Sequence, residues 1–279
     1  MFTGKIVATK KEEDINSYKK KAVETGIAAA TGTLIVCTDA DCVVPPGWLS
    51  AIASFKEENG SVFIAAPVVI NNNSSVVQVF QAMDFMVLQG ITGAAVSNNQ
   101  LSMCNGANLA YEREAFYKVK GFEGIDAIAS GDDMLMHKMA KQYPGKVHYL
   151  KSAEAIVSTA AVPTWKAFFN QRIRWASKAG KYNDKRIFWV LLLVYLFNLS
   201  FLGLLACLPA RQVAGCWLRE AYLFALLLLV AKTVVELPFV VSVATFFQKK
   251  SLLKYFPFFQ PLHILYTIVS RLVWPDWKI

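Results

Sequence analysis

The sequence is poor in the residues that build metal clusters and covalent staples. It holds three histidines and five cysteines in 279 residues. Cys37, Cys42, Cys104, Cys207 and Cys216 form no Cys-x-x-Cys pair and show no zinc-like spacing, which excludes a zinc ribbon and a disulfide scaffold. Reduced, mostly buried thiols are the expected state. The first residues contain no apolar core flanked by a cleavage site. Instead they carry Lys5, Lys10, Lys11, Glu12, Glu13, Asp14 and Lys19-Lys20-Lys21, so no signal peptide is expected. No internal repeat, no low-complexity tract and no nucleic-acid-binding motif occurs, and nucleic acid is not an expected partner.

Apolar residues, by contrast, are plentiful at 55%, above the level of an ordinary soluble domain. They are unevenly spread. Residues 1–186 have a globular composition, whereas residues 187–279 are nearly continuous Leu, Val, Phe and Ala. The net charge of +9 is concentrated just ahead of that tract, at Lys166, Arg172, Arg174, Lys178, Lys181, Lys185 and Arg186. Positive charge against an apolar span reads as a cytoplasmic flank held by anionic headgroups. A soluble domain joined to a membrane domain is the expected plan.

Along the chain, residues 18–30 suit a helix with Ala22, Val23, Ile27 and Ala30 on its apolar face. Residues 33–38 are a short β-branched run, expected as a buried parallel strand. A helix starts at Trp48, and residues 61–69 predict another buried strand. Alternating helix and strand implies an α/β sheet with ligands at the carboxyl ends of its strands. Within residues 98–122, a Gly-Ala-Asn strand precedes a helix that ends at Gly121-Phe122. Residues 163–181, opened by Pro163, form a basic amphipathic stretch expected to lie in the headgroup plane. Trp165, Phe168, Phe169, Ile173 and Ala176 share its apolar side, with Lys166, Arg172, Arg174 and Lys178 elsewhere.

Three spans are expected in the tail. Residues 187–208 carry no charge and are long enough for a hydrocarbon core of about 30 Å. Residues 221–247 are interrupted by Lys232, Glu236 and Pro238, and the two charges, four apart, are expected to pair within a helix bundle. Residues 255–273, with Pro257, Pro261 and His263, make the third; His263 is expected to pack, not to ligate. Lys249, Lys250 and Lys254 place the preceding loop inside, so the N-terminus is expected inside and the C-terminus outside.

Three short motifs carry chemistry. In Thr38-Asp39-Ala40-Asp41, acids two apart at a strand end point to one face. Such hard oxygen ligands suit Mg²⁺ or Mn²⁺ under a diphosphate. Gly131-Asp132-Asp133 sets two acids ahead of an apolar helix start, where capping is the alternative role. In Gln171-Arg172-Ile173-Arg174-Trp175, Gln171 and either Arg174 or Trp175 fall on one helix face. Arginine suits phosphate, and a tryptophan face suits a sugar ring.

In this order, the three motifs resemble the signature of the family 2 glycosyltransferases, the membrane-bound cellulose and hyaluronan synthase-like group with a Gln-x-x-Arg-Trp pentad. The resemblance runs from about Tyr18 to Trp277-Lys278. It implies a GT-A-like, Rossmann-like α/β nucleotide-sugar domain over residues 1–162, an interfacial helix over residues 163–186, and a transmembrane α-helical region over residues 187–279. It implies inverting, metal-assisted transfer from a nucleoside-diphosphate sugar to a lipid-linked or membrane-presented acceptor at the lipid bilayer. By resemblance, Asp133 is the general base and Asp132 lies on the acceptor side. Asp41 ligates Mg²⁺ or Mn²⁺ directly, and Asp39 lies by the nucleotide. Arg174 meets the diphosphate, and Gln171 with Trp175 meets the acceptor. A multi-pass protein of the inner (cell) membrane with a cytoplasmic catalytic domain follows.

Family members open with a strand, a turn and a second acid-ended strand, and residues 1–21 show none of these, so a GT-A domain incomplete at its start is expected. Two other readings stand beside the enzyme. One is an inactive, shortened remnant acting as a membrane interaction module. The other is a small transporter whose path includes Lys232 and Glu236.

Overall fold

The computed structural model describes residues 18–71, 75–100, 104–125, 132–176, 185–210 and 217–272. The expectation about missing opening strands falls on residues 1–17, outside the described residues, apart from the start of the first helix. The chain divides into two compact units, Met1–Val69 with Leu88–Ala160, and Ile70–Val87 with Ala161–Ile279.

The first unit is a layered α/β domain. Its elements run α1 (Tyr18–Ala29), β1 (Leu34–Cys37), β2 (Cys42–Val43), α2 (Trp48–Asn59), β3 (Phe63–Ala65) and β4 (Val68–Asn71). After the long helix α3 (Val76–Ser97) come β5 (Leu109–Glu112), α4 (Arg113–Lys118), α5 (Asp132–Gln142), β6 (Val147–Tyr149) and β7 (Val157–Ala160). The main sheet has the order β1-β5-β3-β6, and a small sheet has the order β2-β7-β4. β3 pairs β6 in parallel, while β5 runs antiparallel to both β1 and β3. So β1, β3 and β6 point one way, with β5 reversed between β1 and β3.

That arrangement corrects the expectation for residues 33–38. β1 is half-buried and bonded to an antiparallel neighbour, not fully buried between parallel ones. Its apolar, β-branched composition fixed the strand but carried no information on the direction of its partner. Residues 61–70 are buried throughout, as the apolar run predicts, but they make two strands. Pro67, which lacks an N–H, falls where the chain leaves β3 of the main sheet for β4 of the small one. Asn108 fills this break. Its side-chain NH2 donates to Pro67 O and Ala155 O, both at 2.7 Å, and its Oδ1 accepts from Trp48 Nε1 at 2.9 Å.

Side chains alternate across the main sheet with the period of two that strands impose. Phe63, Leu109 and Tyr111 meet Ile27 of α1, Phe116 of α4 and Met136 of α5 on one face. Ile64 and Ala110 meet Trp48 and Ile52 of α2 on the other. Phe63, Tyr111 and Phe116 stack in series with centroids 5.8 and 5.7 Å apart. On α1, Ala22 is exposed while Lys20 is buried, contrary to the expected apolar face. Lys20 donates to Ile125 O and lies over the Phe122 ring, so its charge finds partners that a helical wheel cannot show. The turn at Gly121 needs glycine, because φ is +46° and an added Cβ would lie 2.7 Å from the Phe116 ring.

The second unit is helical: the start of α3, then α6 (Trp165–Ala176), α7 (Lys185–Ala210), α8 (Trp217–Phe246) and α9 (Phe256–Leu272), with a 3-10 segment at Lys250–Tyr255. Phe80 of α3 anchors it through edge-on ring contacts to Phe168, Phe259 and Tyr266.

Among the described residues, two helices are long and apolar enough to cross a membrane, Val76–Ser97 and Tyr222–Phe246. They differ in burial. Two thirds of the first (67%) is covered by protein, as in a core helix, whereas 11% of the second is. Part of the span expected at residues 187–208 lies outside the described side chains; Trp189 and Leu193 of α7 are exposed. The Lys232–Glu236 pair forms as its spacing predicts, at 2.5 Å, and Gln260 of α9 closes it into a triad. His263 packs edge-on against Tyr266, as expected.

Candidate functional site

Each unit holds part of the predicted site. In the first, Asp39 and Asp41 follow the carboxyl end of β1 but stand in a turn, not on the strand. The Cys42 N–H donates to Asp39 O at 3.1 Å, closing a four-residue turn with Ala40 and Asp41 at its centre. Strand periodicity therefore does not orient the two acids; the turn does. It is pinned at both ends, since β1 bonds β5 and β2 bonds β7 through Cys42–Thr159 and Val43–Ser158.

Asp41 is exposed and Asp39 half-buried. Asp39 Oδ1 holds the Lys19 ammonium at 2.8 Å, with both side chains more than a third exposed. Cys42 Sγ points its S–H at Asp41 Oδ1, 3.7 Å away. Burial, and then the Asp41 charge, push the Cys42 thiol up, so it stays protonated near neutrality. Among the described residues, no group of three or more His, Cys, Asp or Glu side chains is placed to hold a metal. The turn still fits Mg²⁺ or Mn²⁺. Mg²⁺ takes one or two carboxylates and completes its shell with water and substrate phosphate. Two accessible carboxylates, one already holding a cation, supply that donor set.

Asp132 and Asp133 open α5, so both stand in its first turn, where the helix dipole favours negative charge. Their side chains lie outside the described residues. The helix that carries them is firmly seated: Leu135, Met136 and Met139 are buried to 1% exposure or less. Lys138, on the same helix, donates to Gly121 O at 2.6 Å and Glu123 O at 3.1 Å, tying α5 to the Gly121-Phe122 turn. Burial pushes the Lys138 ammonium down.

In the second unit, α6 carries Gln171, Arg172, Arg174 and Trp175, and it departs from the expected amphipathic split. Arg174 is exposed as predicted, but Arg172 is buried at 4%. Its Nη2 lies 2.6 Å from Asp84 Oδ2, and its guanidinium lies over the Phe168 and Trp175 rings at 4.8 and 4.3 Å. Asp84 Oδ1 also accepts from the Tyr266 hydroxyl at 2.6 Å. Gln81 Nε2 donates to Gln171 Oε1 at 3.0 Å, and the Phe85 ring lies 5.8 Å from that of Trp175.

Gln81 and Asp84 were missed in the sequence, though a signal was present. Asp84 is the sole charge in the 22 residues of α3. A lone acid in an apolar helix demands a buried partner, and Arg172 is that partner.

A family model described as "Glycosyl transferase family group 2" matches residues 34–274. No curated protein matches the chain.

Proposed function

This chain belongs to the glycosyl transferase family group 2 and is a glycosyltransferase; we propose that it is an inverting one, transferring from a nucleoside-diphosphate sugar to a lipid-linked or membrane-presented hydroxyl. Family membership carries sugar transfer. The observation that carries the membrane-presented acceptor is α8, where 11% of an 18-residue apolar stretch within Tyr222–Phe246 is covered by protein. Val235, Leu227 and Val230 stand at 78, 63 and 50% exposure, a surface suited to hydrocarbon and not to water. With α7 and α9 as further spans, the protein is a multi-pass protein of the inner (cell) membrane with its α/β domain, a GT-A-like one, in the cytoplasm.

In this reading Asp133 accepts the proton of the acceptor hydroxyl as that oxygen attacks the anomeric carbon. The anomeric carbon–oxygen bond breaks on the opposite face, inverting the centre, and the nucleoside diphosphate leaves with the electron pair. Asp41 and Asp39 would hold Mg²⁺ or Mn²⁺, which supplies charge neutralisation to the leaving diphosphate. Asp39 also faces the nucleotide, and Arg174, exposed and charged, offers forked donors to phosphate. Gln171, Trp175 and Asp132 are assigned to the acceptor, as in the cellulose and hyaluronan synthase-like group.

The test is a binding and transfer assay on the full chain in lipid nanodiscs. UDP-glucose, UDP-N-acetylglucosamine and GDP-mannose are titrated with Mn²⁺, and transfer is followed to a polyprenyl diphosphate-linked monosaccharide in the disc. Asp133→Asn is expected to keep donor affinity within about twofold while transfer falls at least 100-fold, the range of a lost general base. Undiminished transfer by Asp133→Asn removes that residue from the reaction. Absence of binding by all three donors favours a membrane interaction module instead.

A further inference from the structure

The pentad on α6 does not hold its own shape; a face of α3 does. Gln81, Asp84 and Phe85 are spaced i, i+3, i+4, so they share one side of a helix. They meet Gln171, Arg172 and Trp175 respectively, at 3.0 Å, 2.6 Å and a 5.8 Å ring separation. Asp84 reaches Trp175 indirectly. It fixes the Arg172 guanidinium, which lies 4.3 Å from the centre of the indole. None of the three Arg172 guanidinium nitrogens has a hydrogen-bond partner among the described residues, so its burial rests on the charge of Asp84, 2.6 Å away, and on the two ring faces.

Gln81 adds a directional constraint. Its Oε1 accepts the backbone N–H of Val162 at 2.8 Å, an interaction open to a carbonyl oxygen and closed to an NH2 group. The amide is therefore locked with Nε2 toward Gln171. Gln171 must answer with its Oε1, which leaves its own NH2 as the group available for other contacts.

We propose that Gln81 and Asp84 are positioning residues for the pentad, fixing Gln171 as a hydrogen-bond donor and Trp175 as a held ring face toward the acceptor. The acceptor selected this way presents lone-pair oxygens, hydroxyl or ether, beside a sugar-ring face. This rests on the reading that Gln171 and Trp175 meet the acceptor.

The experiment separates the two claims with readouts that do not share a failure. The full chain is labelled with 5-fluorotryptophan in nanodiscs, and the Trp175 fluorine resonance is assigned with Trp175→Phe. Asp84→Asn is expected to shift or broaden the Trp175 resonance while the other tryptophans stay in place, and Asp84→Glu is expected to restore it. An unmoved Trp175 signal in Asp84→Asn overturns the positioning role, whether or not any sugar is transferred. Should Asp84→Asn fail to fold, Gln81→Glu serves in its place. A carboxylate still accepts from Val162 N–H but turns an oxygen to Gln171, which must then rotate its NH2 inward and offer an acceptor outward. With a polyprenyl diphosphate-linked monosaccharide as acceptor and the three sugar nucleotides above as donors, Gln81→Glu is expected to raise acceptor KM at least tenfold. Donor affinity and hydrolysis of the sugar nucleotide by water are expected to stay within twofold. Equal losses in all three parameters would indicate a merely structural contact and overturn the proposal. Full transfer by Trp175→Ala sinks the acceptor reading of the pentad, while the fluorine result on Asp84 stands by itself.

Discussion

The turn after β1 and the face of α3 hold charge in opposite ways. Asp39 keeps Lys19 by one contact between side chains more than a third exposed, in a turn that water reaches. Asp84 sits at 3% side-chain exposure with Arg172, Tyr266 and a histidine 3.7 Å away. An exposed acid is cheaply separated from its partner and can take up a ligand cation. A buried acid is bound to its neighbours by the cost of leaving either charge unpaired. Acids of the same type therefore divide into those left open to a ligand and those that hold shape, and burial makes the division.

The sharpest way to break this comparison is to delete one charge from each pair. Asp84→Ala leaves a guanidinium buried without its counter-charge and is expected to cost about 3–5 kcal/mol. Asp84→Ala with Arg172→Met is expected to recover most of that. Lys19→Ala is expected to cost less than about 1 kcal/mol, since exposed pairs contribute little. Denaturant unfolding in detergent compares the three, and equal losses for Asp84→Ala and Lys19→Ala would erase the distinction.

A second effect sharpens the exposed side. If the turn takes Mn²⁺ together with a diphosphate, Mn²⁺ plus UDP is expected to raise Tm by several degrees through ordinary binding linkage. Asp41→Ala is expected to abolish the Mn²⁺-dependent part, and Asp39→Ala to reduce it. A Tm response to Mn²⁺ that survives Asp41→Ala places the cation elsewhere.

The smallest effect is in pH. Burial raises the pKa of the Tyr149 phenol above its ordinary value near 10. Between those two values the unfolded chain has released a proton that the folded chain keeps. Stability from this residue is thus complete below about pH 10 and falls as pH rises further. Tyr149→Phe is expected to flatten the alkaline decline of Tm, and an identical decline in the variant would exclude Tyr149 as its source.

Much of this was legible in the sequence. The β-branched run at β1, the burial of residues 61–69, the helix after Trp48 and the Lys232–Glu236 spacing follow from local propensity and period, and each forms; the division of residues 61–69 into two strands at Pro67 was not foreseen. The family was legible because three short motifs stand in a fixed order. Arg172 was not. Its place on a helical wheel put it with Lys166 and Arg174, yet its partner Asp84 sits on α3, far upstream in the chain. The orientation of β1 failed for the same reason, because a strand's composition does not encode the direction of its neighbour.

By itself, then, the sequence determined which segments are helix or strand, where apolar surface exceeds what water tolerates, and which side chains are chemically able to hold a diphosphate, a metal or a sugar ring. These depend on covalent identity and near neighbours. Tertiary structure alone decided that β5 runs against β1, that a turn and not a strand carries Asp39 and Asp41, and that Asp84 makes Arg172 a buried support while Arg174 stays exposed. Those outcomes turn on desolvation, and the cost of removing a charge from water is set by whatever distant segment folds over it.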